Sequence, residues 1–154
     1  MKITALLLFS LIWMQLYACN KDSKMEPVSG LTIDANMDTM KLKITVGSKV
    51  FTATLHDNTT ARALKAKLPM TIYMTELNGN EKYFDLQDRL PTNASNGGTI
   101  HTGDLMLYGA NTVVVFYKTF STSYSYKPLG RIDDPSGLAA ALGSGSVTVS
   151  FEAE

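Results

Sequence analysis

The sequence predicts a mainly β domain over residues 40–154, a closed eight-stranded barrel with two short helices covering its ends. Three observations predict it. Apolar side chains recur at every second position in several short runs, the mark of strands with one buried and one wet face. Glycine- and asparagine-rich turns separate the runs. Only two stretches switch to the spacing of a helix.

The elements follow in order. Leu42, Ile44 and Val46 alternate with Lys41, Lys43 and Thr45; Gly47-Ser48 offers a two-residue turn; Phe51, Ala53 and Leu55 then alternate with Thr52 and Thr54. This is a β-hairpin over 40–55. Asp57 or Asn58 caps a helix whose apolar stripe is Ala61, Leu64 and Leu68, and Pro69 stops it. Met70, Ile72 and Met74 return to alternation before the Asn78-Gly79-Asn80 turn, and Tyr83–Leu86 forms a short strand. Residues 87–103 read as a long polar loop. Asp104–Tyr108 and Thr112–Phe120 form a second hairpin, and the unbroken apolar run Val113–Phe116 predicts a strand covered on both faces. A polar aromatic loop, STSYSYKP, precedes a short strand at 129–132. Asp133 or Asp134 caps a second short helix with Pro135 in its first turn, the Leu138–Leu142 pair on its face and Gly143 as its stop. Val147, Val149 and Phe151 point inward from the last strand, which can zip onto the first and remove an edge.

Ahead of the domain, Lys2 and the apolar run Ile3–Met14 are too short for a membrane span and suit a secretory signal, residues 1–18. The run ends in Leu16-Tyr17-Ala18-Cys19, which resembles a bacterial lipobox and places the single cysteine of the chain at the cleavage point. The resemblance implies cleavage before Cys19 and lipid on its thiol; stable anchoring takes two or more acyl chains. Residues 19–39 are polar and aperiodic, a flexible tether. The expected location is a bacterial membrane, the outer one, facing periplasm or cell surface. One cysteine permits neither an internal disulfide nor a cysteine metal cluster. Without Lys2 the chain has 13 basic and 14 acidic side chains and no basic run, which argues against nucleic acid as partner. A monomer is expected.

No stretch encodes a reaction. His56 and His101 are isolated, so no metal site is expected, and no phosphate loop, cofactor motif or nucleophile elbow occurs. Glu76, Glu81, Asp85 and Asp104 are the carboxylates available for acid–base work. Glu76, at a strand end, is placed to enter a cleft. The aromatic residues of the second half, among them Tyr83, Phe84, Tyr117 and Tyr124, suit a groove for a peptide or small molecule. Arg131 could clamp a carboxylate of such a ligand or pair internally with Glu76 or Asp104. The candidate ligand-binding residues are therefore Glu76, Tyr83, Phe84, Tyr117, Tyr124 and Arg131.

The segments KITVGSKVFTATLHDNTTARALKAKLP, LNGNEKYFDL, TGDLMLYGANTVVVFY and YKPLGRIDDPSGLAAAL run in order along the domain. Together they resemble the bacterial cyclophilin-like domain family. The resemblance implies an eight-stranded barrel capped by two helices; it does not imply the enzymatic activity of true cyclophilins. Those enzymes isomerise X-Pro bonds with an Arg near a Phe and a Gln. Here the nearest match is Tyr83-Phe84-Asp85-Leu86 with Arg89 displaced, the His absent, and Gly103-Asp104 in place of a Gly-Gly-Asp end. No catalytic residue carries over. A membrane-anchored binding module without catalysis is the expectation, with a peptidyl-prolyl isomerase of envelope proteins as the alternative.

Overall fold

The computed structural model describes residues 40–94 and 97–154. The signal, Cys19 and the tether lie outside the described residues. Ten strands and two helices alternate along the rest: β1 (Lys41–Val46), β2 (Lys49–Leu55), α1 (Thr59–Lys65), β3 (Met70–Leu77), β4 (Glu81–Asp85), β5 (Gly98–Ile100), β6 (Asp104–Tyr108), β7 (Thr112–Phe116), β8 (Phe120–Thr122), β9 (Tyr126–Ile132), α2 (Leu138–Leu142) and β10 (Val147–Ala153).

Eight strands close into an antiparallel barrel in the order β1-β10-β3-β4-β7-β6-β9-β2. The last strand does zip onto the first, with Leu42 opposite Ala153 and Ile44 opposite Phe151. The period-two pattern produces this directly. Leu42, Ile44, Val46, Ala53, Leu55, Met74, Val149 and Phe151 all turn into one buried core. All eight staves and that core lie within residues 40–154.

α1 is capped by Asn58, whose Oδ1 accepts from the Ala61 amide at 2.9 Å, and it buries Thr60, Ala61 and Leu64. α2 buries Leu138 and Leu142. Its start differs from expectation. Neither aspartate caps it. Asp134 accepts from the Ser136 amide, and the helix begins after Gly137, whose φ of 78° makes the turn. Pro135 therefore belongs to that turn and not to the helix.

The second half holds the other departures. The stretch 112–120 is not one strand: β7 ends at Phe116, and β8 starts only at Phe120. The expected loop 87–103 contains β5, which pairs with β8 as a separate two-stranded ribbon. β9 begins at Tyr126, three residues before the expected strand. The ribbon explains the unbroken apolar run of β7. Val113 and Val115 enter the barrel core, whereas Val114 and Phe116 face outward into a second cluster with Ile100. Phe120 and Tyr126 pack on that cluster.

Candidate functional site

The same parity builds a groove on the barrel's outer wall. Tyr83 on β4, Val114 on β7, Tyr108 on β6 and Tyr126 on β9 all turn outward, and Phe120, Ser121 and Thr122 of β8 stand over them. They enclose a groove of ≈ 580 Å³, a size suited to a small ligand. The rings brace one another. Phe116 lies 5.4 Å from Tyr126 and 5.6 Å from Phe120, and Tyr108 lies 5.5 Å from Tyr126 and 6.1 Å, edge-on, from Tyr124. These spacings are those of favourable aromatic pairs. Tyr124, 63% exposed, forms the rim.

A polar cluster sits at the α2 end of the barrel. Lys82 turns inward on β4, as Phe84 does, and is wholly buried. Its ammonium donates to Glu76, to the Gly143 carbonyl at 2.8 Å and to the Gly145 carbonyl at 2.6 Å. It also lies 5.2 Å from the centre of the Tyr117 ring. The Tyr117 hydroxyl donates to Glu76, at 2.9 and 2.8 Å to its two oxygens, and the Gly79 amide donates to Glu76 at 2.7 Å. Burial, then the bond to Glu76, push the Tyr117 hydroxyl up to about 12, so it remains a donor at any ordinary pH.

Burial by itself would raise the Glu76 carboxyl, but Lys82, Tyr117 and Gly79 together outweigh it and hold it below its ordinary 4.5. A depressed folded-state pKa adds stability that is complete above the unfolded value and is lost as pH falls through the folded one. Denaturant melts between about pH 3 and 6 should therefore show a loss of stability below about 4.5 that Glu76→Gln reduces. Equal acid slopes in both proteins would remove Glu76 from the acid response.

On another part of the wall, the Asp104 carboxylate accepts from the His101 amide at 2.7 Å and pairs with Arg131 at 3.1 Å. Among the described residues, no three His, Cys, Asp or Glu side chains group to hold a metal ion.

The family model described as the cyclophilin-like family matches residues 44–152, from β1 through β10. The chain belongs to the cyclophilin-like family. This cyclophilin-like chain also resembles the solution structure of a hypothetical protein from Archaeoglobus fulgidus, with 18% identity and a TM-score of 0.57 over 76% of this chain and 96% of that one. That likeness bears on the fold alone. No curated protein matches the chain.

The six candidate residues do not share one place. Tyr83 and Tyr124 line the groove. Phe84, next to Tyr83, turns the other way and packs on the core. Glu76 and Tyr117 belong to the Lys82 cluster, and Arg131 pairs with Asp104. Glu76, Tyr83 and Arg131 thus do not converge on a cleft. Sequence reasoning left Tyr108 and Phe120 out of the site and overlooked Lys82 altogether. A signal existed for two of them. Tyr108 alternates with Leu105 and Leu107, and Lys82 shares Phe84's inward parity. Phe120 offered none, because its place depends on the pairing of two three-residue strands.

Proposed function

We propose that this cyclophilin-like chain is a lipid-anchored binding module of the bacterial envelope. Lipid on Cys19 holds it at the outer membrane, facing periplasm or surface, residues 20–39 tether it, and the barrel, as a monomer, takes a peptide or small molecule in its aromatic groove without chemistry. One observation carries the binding reading: an open groove walled by Tyr83, Tyr108, Tyr124 and Tyr126, with no His, Arg or Cys among the described residues of its lining. Prolyl isomerisation in true cyclophilins uses an Arg, and Arg89 is exposed and outside the groove. The signal-like run that ends at Cys19 supports the anchor.

Two measurements test this. The barrel, residues 40–154, should not accelerate proline-limited refolding of a model substrate; acceleration that Tyr83→Ala abolishes would make the protein an isomerase. In cells, Cys19→Ala should release the protein from the membrane fraction, and a variant still pelleting with membranes would remove the lipid anchor.

A further inference from the structure

The groove has an electrostatic sign. Its charged lining residues, Glu81 and Asp85, are both carboxylates. Both project from the outer face of β4, with Tyr83 between them. Glu81 decides the matter. Only 7% of it is exposed, yet it borders the groove, and among the described residues neither a hydrogen bond nor a cation acts on its carboxyl. Asp85 is different: it is exposed and accepts from the Thr112 hydroxyl at 2.6 Å. A nearly buried carboxylate normally has a cation or several donors beside it. Beside Glu81, the Asn80 side-chain oxygen is a buried acceptor without a donor among the described residues, and Asn80 lines the same groove; the Glu81 carboxylate oxygens are not sealed in that way, which leaves them within reach of a ligand. Burial, then the Glu76 charge behind it, raise the Glu81 carboxyl, which is the response of an acid lacking its counter-ion. Lys118 does not supply one. Its ammonium lies 3.9 Å from the place of a Gly79 Cβ, and it is not part of the lining.

A nearly buried carboxylate and four tyrosine rings lining one groove suit one kind of ligand. Tyrosine faces attract organic cations, and a carboxylate completes such a cage. We propose that the groove binds a small organic cation, an alkylammonium or guanidinium group, with its charge on Glu81 and its apolar body against Tyr83, Tyr108, Tyr124 and Tyr126. The proposal rests on the ligand-binding reading above and adds the chemistry of the ligand. An anionic ligand would meet two carboxylates. A neutral apolar one would leave Glu81 without a counter-ion.

The test uses three probes of one chain length: hexylamine, 1-hexanol and hexanoate. Each is titrated into the barrel while the tyrosine ring and Glu81 amide signals are followed by NMR. Hexylamine should bind about tenfold more tightly than hexanol, the worth of one charge-assisted contact, and hexanoate should not bind. Glu81→Gln should reduce hexylamine to the affinity of hexanol without altering hexanol, whereas Tyr83→Ala should weaken both. Equal binding of hexylamine and hexanol, or an unchanged amine affinity in Glu81→Gln, would overturn the cation proposal and leave the groove as a binding site. Failure of all three probes to shift any groove signal would overturn both.

Discussion

Lys82→Met should cost the barrel about 3 kcal/mol of stability, read as a fall of about 10 °C or more in the thermal midpoint. Methionine nearly matches the volume of lysine, so packing changes little. What changes is hydrogen bonding. Glu76 loses its cation, and the Gly143 and Gly145 carbonyls lose their donor. Removing one member of a buried ion pair strands the other, which is why the expected loss exceeds that of any surface pair. Glu76 keeps 19% of its side chain in contact with solvent, which holds the expected cost at the lower end for such pairs. Adding Glu76→Gln to Lys82→Met should recover about 1 kcal/mol, because no unpaired charge then remains. A Lys82→Met protein within about 0.5 kcal/mol of the parent would mean that the cluster contributes nothing to the fold.

Gly130→Ala should destabilise by about 2–3 kcal/mol for a different reason. Gly130 lies on β9 opposite Leu55 of β2, where the barrel closes on only three residue pairs. A Cβ there would stand 2.4 Å from the Thr54 carbonyl oxygen and 2.7 Å from the Leu55 Cα. Both are backbone atoms, so no side chain can swing aside, and β2 and β9 must separate. Nearby, Lys41, Thr54 and Asp133 are linked by three hydrogen bonds of 2.6–2.7 Å. That network is solvent-exposed and is too weak to hold the seam closed. Gly98→Ala is the control: nothing stands within 4 Å of its added methyl, and its stability should stay within about 0.5 kcal/mol of the parent. Denaturant melts give the cost, and amide exchange should quicken at Ala53 and Ile132. A Gly130→Ala protein as stable as Gly98→Ala would show that the two strands are not held this closely.

The barrel was legible because period-two alternation needs no partner to be read. Leu42, Ile44 and Val46 must share a face whatever packs against them, and so must Phe51, Ala53 and Leu55. The continuous Val113–Phe116 run also carried its meaning, a strand covered twice. What covered its outer side was not legible. β5 and β8 are three residues each, too short for any pattern, and they exist only because Ile100 and Phe120 find Val114 and Phe116 on the barrel wall. The groove depends on that ribbon, so its membership was only partly readable. Tyr83 and Phe84 show the same limit at the scale of one residue. Both are aromatic and adjacent, but the strand sends one to the groove and the other to the core. Tyr117 and Arg131 look like ligand-binding residues by type, and each is already engaged by a carboxylate of the protein, Glu76 or Asp104.

The pairing of β1 with β10 has a geometric corollary. Leu42 faces Ala153, and the Glu154 amide donates to the Lys41 carbonyl at 3.2 Å. Entry and exit of the polypeptide are therefore neighbours on one rim. Joining the start of β1 to the end of β10 by a few residues and opening the chain at residues 92–94, beyond the buried Leu90, would leave every stave of the barrel in its present place.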